Sequence, residues 1–194
     1  VLFPAFISSL LLWLASASLF RVRWTDQIHE EWIANRLDRY PDLNRAQLER
    51  RRKRMDAEFP DSLVTDYEGL ITGLSLPDLN DRHVLAAAIS CRAHVIVTAN
   101  LRHFPESSLA QYSILAQHPD DFILDQIDLH SDSARLVSTS IAQHKLSLTE
   151  SRPTWTNYLA FMAKETVLPK THQAVTTREF KTLISTALQK LNGR

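Results

Sequence analysis

Leu76-Pro77-Asp78-Leu79-Asn80-Asp81-Arg82-His83, the apolar run Val84 to Ile89, and His94-Val95-Ile96-Val97-Thr98-Ala99-Asn100-Leu101-Arg102-His103-Phe104 together decide the fold class. Pro77 with its Asp and Asn cluster is a helix start signal, and the alanine-rich run behind it consists of strong helix formers. The β-branched run after Ala93 predicts a short strand buried on both faces. A helix followed by a buried strand is half of a parallel α/β unit. Open α/β sheets gather their chemistry at the carboxyl ends of strands, which here means Thr98 to Asn100.

Taken alone, Asp78 or Asn80 is a helix cap, and Asp81 is a first-turn acid favoured by the helix dipole. A second helix gives them company. Thr25 or Asp26 opens it, it runs through Gln27-Ile28-His29-Glu30-Glu31-Trp32-Ile33-Ala34-Asn35-Arg36-Leu37, and it stops before Pro41. At about 100° per residue, Ile28, Trp32 and Asn35 share one face, with Glu31 at its edge and Glu30 nearly opposite. Glu31 thus leans toward the core, where a carboxylate is costly unless it is paired, hydrogen-bonded or metal-bound. Its ordinary partner would be a cation such as Arg36.

Val1-Leu2-Phe3-Pro4-Ala5, the Glu31-Trp32 helix, Leu76-Pro77-Asp78 through Ala88, Ile96-Val97-Thr98-Ala99-Asn100 with Phe104-Pro105, and Gln117-His118-Pro119-Asp120-Asp121-Phe122 follow one another in order. This succession resembles the PIN-domain ribonuclease family, and within it the VapC-like toxin and nuclease group, over roughly residues 1–128. The resemblance implies an α/β/α sandwich whose parallel sheet gathers acidic groups that hold Mg²⁺ or Mn²⁺ and hydrolyse single-stranded RNA. Carried over by position, it assigns Glu31 to the helix-borne acid, Asp81 to the acid opening the next helix, Asn100 to a place where many members carry a further acid, and Thr98 to the hydroxyl residue on the strand. Asp78, one turn before Asp81, is a further candidate. A small antitoxin protein is the partner the resemblance implies.

Two departures accompany it. The family's first strand and its terminal aspartate would precede Val1, and because the chain opens on valine an omitted amino-terminal stretch is expected. Asn100 offers a carbonyl oxygen but no charge to offset a divalent cation. His103, in the same loop, has the pKa range to orient a phosphate or donate a proton, and is otherwise an ordinary loop residue. A degenerate PIN-like module that binds RNA or protein without cutting is therefore the alternative reading.

With 22 basic and 22 acidic residues the chain has no bulk attraction for nucleic acid, so any RNA contact must come from a local patch. The candidate is the helix Asn44 to Phe59, with Arg45, Arg50, Arg51, Arg52, Lys53 and Arg54 interleaved with Glu49, Asp56 and Glu58. These groups either bind phosphates or form a solvated face of i,i+4 pairs. The single cysteine, Cys91, lies in the apolar helix; it excludes an internal disulfide and a thiolate zinc cluster, and it fits a reducing cytoplasm.

Phe6 to Phe20 mimics a secretory signal, but no Lys or Arg precedes Arg21 and the run is short for a bilayer span, so a buried core helix is expected and no membrane. Leu63-Val64-Thr65 and Ser113-Ile114-Leu115-Ala116 predict short strands, and Asp66 to Ser75 a loop. Beyond Leu129 strand signals stop. Residues 129–194 read as a helical extension, with helices at Ser131–Lys145, Thr149–Lys164 and Thr171–Leu191. Trp155, Tyr158, Leu159 and Met162 form its packing stripe, and the extension would cap the nuclease domain, hold a partner or form a homodimer.

Overall fold

In the computed structural model, residues 5–129, 132–148, 152–164 and 168–192 are described. The Val1–Pro4 segment and the helix starts expected at Ser131 and Thr149 lie outside them. In chain order the helices are α1 (Ala5–Ser16), α2 (Asp26–Arg39), α3 (Arg45–Glu58), α4 (Glu68–Ile71), α5 (Arg82–Ser90), α6 (Glu106–Leu109), α7 (Pro119–Asp128), α8 (Ser133–Ser147), α9 (Trp155–Lys164), α10 (Pro169–Val175) and α11 (Arg178–Asn192). The strands are β1 (Val95–Val97) and β2 (Leu115–Gln117), which pair in parallel with Ile96 opposite Ala116. Among the described residues the fold is mostly helical with one small parallel sheet, which agrees with an α/β class.

The described residues pack as two compact units, one made of residues 22–117, the other of residues 5–21 and those from 118 to 192. The helical unit thus takes in α1 and α7 as well as the segment after Leu129.

In the first unit, α2 starts where Thr25 Oγ1 accepts the Ile28 N–H at 3.1 Å, and α3 where Asn44 Oδ1 accepts the Ala46 N–H at 2.8 Å. The buried face of α2 is His29 and Ile33, with Ile28, Glu31 and Trp32 half-buried, so the apolar stripe expected through Asn35 is rotated. Asn35 is exposed and donates to the Glu31 carbonyl. The rotation follows from His29, a polar residue whose hydrogen bonds are all met inside. Its Nε2 lies 3.2 Å from Asp56 Oδ1, which also accepts from Trp24, and its Nδ1 accepts from Trp32 Nε1 at 2.9 Å.

Helix α5 is buried at every position from His83 to Ala88, the pattern of a helix covered on all sides. It ends in a Schellman turn: the Ala93 N–H reaches the Ala88 carbonyl, the Arg92 N–H reaches Ile89, and Arg92 takes the left-handed conformation (φ 53°) usual for glycine. The chain then enters β1. Ile96 is buried while Val95 and Val97 are half-buried, so the strand is covered less completely than its apolar run predicts. Leu63-Val64-Thr65 is corrected to a single parallel bridge between Leu63 and Trp24, because Asp66 turns the backbone to φ 60°. The second expected strand is shifted to Leu115–Gln117 by the left-handed turn at Ser113, and the expected loop after Asp66 contains the single turn α4.

In the helical unit, Phe6, Ile7, Leu10 and Leu14 of α1 join Ile123, Val137, Ile141, Tyr158, Met162, Val175 and Ile184 in one core. The core-helix expectation for Phe6 onward and the packing role of Trp155, Tyr158, Leu159 and Met162 are met. The single helix expected over Thr171–Leu191 is two, because Thr177 Oγ1 accepts the Phe180 N–H and starts α11 afresh. Among the described residues no helix is long and apolar enough to cross a membrane. Buried Asp120, in the first turn of α7, receives the Thr171 N–H (2.7 Å) and hydroxyl (2.6 Å) at Oδ1 and the Lys170 N–H (2.8 Å) at Oδ2, which closes the amino end of α10.

Two outcomes follow. Asp120→Ala removes a buried charged acceptor of three hydrogen bonds and is expected to cost about 3 kcal/mol in urea unfolding followed by circular dichroism. Burial holds His29 below the ordinary imidazole value of 6.5, with Asp56 pulling the other way. An unfolded His29 therefore takes up its proton first, and the stability it contributes above pH 6.5 is lost as pH falls through 6.5 toward the folded value. The melting temperature is expected to drop from pH 7.5 to 5.5, less steeply in His29→Gln.

Candidate metal centre

The Asp78-to-Asp81 segment forms one 3₁₀ turn (Leu79–Asp81), in which side chains three apart eclipse one another. Asp78 Oδ1 accepts the Asn80 N–H at 3.0 Å and sets the turn, which leaves Oδ2 outward; Asp81 then leads into α5. The other half of the site comes from the end of β1. Thr98 is buried; its N–H extends the ladder to the Gln117 carbonyl, and its Oγ1 accepts the Asn100 N–H at 3.0 Å. A second 3₁₀ turn (Leu101–His103) then brings His103 back over Asn100, anchored by buried Phe104.

These two turns meet. His103 Nδ1 lies 2.7 Å from Asp81 Oδ2, 3.5 Å from Asp78 Oδ2 and 2.8 Å from Asn100 Nδ2. One ligand atom from each of Asp78, Asp81 and His103 falls within 4.8 Å of the others. All three side chains are half-buried. A single imidazole nitrogen donates to the carboxylate or accepts from the amide, not both. Without a proton on Nδ1, the Asn100 amide satisfies that nitrogen, and the two carboxylates face each other with no cation from His103. Two hard oxygens beside a borderline nitrogen fit a divalent ion such as Mn²⁺. The Asn100 carbonyl oxygen is taken by Arg102 Nε at 3.1 Å.

Of the residues assigned from the sequence, Asp81, Asn100 and Thr98 are brought together, and Asp78 joins them. Glu31 is outside the cluster. Its carboxylate lies 2.8 Å from Nε2 of buried His83, two residues past Asp81, and not against Arg36, which stacks on Tyr40. Burial lowers the His83 pKa below its ordinary value, while Glu31 and Asp81 act to raise it, so one imidazole feels both carboxylates. Neither ring nitrogen of His83 makes an aligned hydrogen bond among the described residues, so the 2.8 Å approach of Glu31 to Nε2 is a close polar contact. Residue reading missed His83, because a histidine inside an apolar helix carries no spacing signal; its place two residues after a candidate ligand was the available clue.

Over 82 residues, 40% of this chain, the sequence is 49% identical to the "Putative ribonuclease VapC50" of Mycobacterium tuberculosis. This match agrees with the resemblance to VapC-like ribonucleases read from the sequence motifs. The chain spans about half the length of that curated relative, 48% of it being covered. No family model matches the chain, and no solved structure matches it.

If the cluster holds a cation, Asp81→Ala is expected to weaken Mn²⁺ binding about 100-fold and Glu31→Gln about tenfold, read by isothermal titration of the full chain. Unchanged affinity in the Asp81→Ala protein would remove the cluster as a metal centre.

Proposed function

We propose that this chain is a metal-dependent endoribonuclease of the PIN-domain type that cuts single-stranded RNA and acts as the toxin of a toxin–antitoxin pair. The observation that carries the reading is the meeting of Asp78, Asp81 and His103, with Asn100, at the carboxyl end of β1. The identity to a ribonuclease-named relative supports the same class. In this reading the nuclease chemistry belongs to the unit of residues 22–117, and the helical unit holds a small antitoxin or a second copy of the chain; the setting is a reducing cytoplasm.

Asp78 and Asp81 supply hard oxygen ligands for Mg²⁺ or Mn²⁺, and Glu31, steadied by His83, is the further carboxylate at the rim. A divalent ion held by these carboxylates would neutralise phosphoryl charge and make a water more nucleophilic. Asn100, fixed by Thr98 and Arg102, orients that water or a non-bridging phosphate oxygen. His103, beside Asp81, supplies the nitrogen of the same ligand set. Thr98 holds the loop in register with β2, so its role is positional.

One observation favours the second reading, a module that binds without cutting. Asn100 adds no charge, and its oxygen is already engaged by Arg102. The two readings separate in one experiment. The full chain with Mn²⁺ is expected to cleave a labelled single-stranded RNA, and Asp81→Asn to slow that cleavage at least about 100-fold while leaving RNA binding within about twofold. Cleavage that survives the substitution overturns the site, and binding with no cleavage in either protein selects the second reading.

A further inference from the structure

Each of the two turns that meet at the candidate metal centre brings an arginine next in sequence to a cluster residue, Arg82 after Asp81 and Arg102 before His103. Neither forms an ion pair with Asp78 or Asp81. Arg82 turns its Nε back to the Leu79 carbonyl at 3.0 Å, and Arg102 turns its Nε to Asn100 Oδ1 at 3.1 Å. Each guanidinium is thus fixed along one edge, and among the described residues the terminal nitrogens of both make no ion pair and no further hydrogen bond. The same turns hold Leu79 and Leu101 outward, 59% and 43% exposed.

A guanidinium held through Nε still offers its terminal N–H groups as a planar fork for phosphate, and part of its side-chain freedom is given up before a ligand arrives. Among the described residues, Asp78 and Asp81 form ion pairs with His103 alone. The two acids and the two arginines are equal in number, so a divalent cation held by the acids would leave this rim positive. A polyanion is the ligand such a rim draws. Helix α3, expected from its residues to be the basic contact, has Arg45 matched by Glu30 and Glu49, and Arg52 by Asp26, Glu30 and Asp56. Arg82 and Arg102 have no such match.

We infer that Arg82 and Arg102 grip the phosphates of a single-stranded RNA that flank the one presented to the candidate metal centre, with the open Leu79 and Leu101 side chains lying under its unpaired bases. The choice of RNA rests on the ribonuclease reading. The grip itself rests on two Nε-anchored guanidiniums, each one residue from the cluster. A duplex keeps its base faces stacked inside, so a single strand is the form that uses the leucines as well as the arginines. Both arginines meet flanking phosphates and not the reacting atoms, which makes them positioning residues.

The test is fluorescence anisotropy of a labelled single-stranded oligoribonucleotide with the full chain in EDTA, where no metal-dependent cutting occurs. Arg82→Gln/Arg102→Gln is expected to weaken binding at least about tenfold and to lower the slope of log K against log salt by about 1.4, the value for two lost phosphate contacts to a single strand. Arg82→Lys/Arg102→Lys keeps the charge, and is expected to keep the slope while losing the affinity of bidentate contacts; it takes the place of the Gln pair if that protein unfolds. Leu79→Ser/Leu101→Ser, which removes no charge, is expected to weaken binding about fivefold with the slope unchanged. Arg45→Gln, whose cation is matched within the protein, is expected to bind within about twofold of the parent. With Mn²⁺ the Gln pair is expected to raise KM for RNA about tenfold, and in isothermal titration to hold Mn²⁺ at least as tightly as the parent.

Weaker Mn²⁺ binding by the Gln pair would mean that the arginines hold the turns and not phosphate, and would overturn the grip. A parent that fails to bind RNA at low salt in EDTA, an equal loss in Arg45→Gln, or tighter binding of polyglutamate than of RNA at the same salt would each do so too. Loss of binding in the expected pattern, with no cleavage when Mn²⁺ is supplied, upholds the grip and overturns the nuclease. Cleavage by the Arg82→Gln/Arg102→Gln protein with unchanged KM does the reverse.

Discussion

Helix α5 is buried from His83 to Ala88, and a buried helix must still satisfy the N–H groups of its first turn. The short 3₁₀ turn from Leu79 to Asp81, set by the Asp78 side chain, begins that work before the helix enters the core. The same turn cannot be apolar, because its polar atoms have to reach the backbone. Asp78 is thereby fixed at the mouth of a buried element, and Asp81, which bonds no backbone N–H of the turn, is met there by His103 from the loop that leaves β1. The candidate centre is in this sense a by-product of starting a buried helix correctly, with His103 and Asn100 supplied by the strand's exit.

Much of this was legible in the residues. Pro77 and its acids, the Thr25 and Asn44 caps, the run after Ala93 and the Thr98-to-Asn100 exit all rest on local chemistry, and each reappears within a few positions of where it was read. The half-exposed state of Glu31 was legible too, though its partner was not. What escaped depends on contacts between segments far apart in sequence. The His83 contact with Glu31 spans two helices, and the inward turn of His29 needs Asp56 and Trp32 to satisfy it. A polar residue reads as outward-facing until its partners are known, which is why the buried stripe of α2 was assigned through Asn35. The short strands slipped for a related reason: left-handed residues at Asp66 and Ser113 set where extension stops, and neither is a glycine.

Buried histidines recur through the chain in two settings. His29 is enclosed by a carboxylate and two indoles, and the helical unit's His144 meets the Tyr158 hydroxyl at 2.8 Å against the Phe6 ring. Both act as polar pegs in apolar surroundings, fixing orientation through directed bonds where leucine would fix only volume. His83 differs because its Nε2 faces a half-exposed carboxylate.

The helical unit is discontinuous in sequence, since α1 lies ahead of residues 22–117 and its partner α8 lies behind them. Ile7, Leu10 and Leu14 are fully enclosed in the finished protein by side chains made more than a hundred residues later. During synthesis an oily amphipathic segment must therefore wait on the ribosome for most of the polypeptide to follow it. That long-range closure slows the helical half relative to a bundle of consecutive helices and leaves its leading segment open to chaperones or misassociation until α8 arrives. Shortening the gene from its far end would thus strand the opposite end of the product.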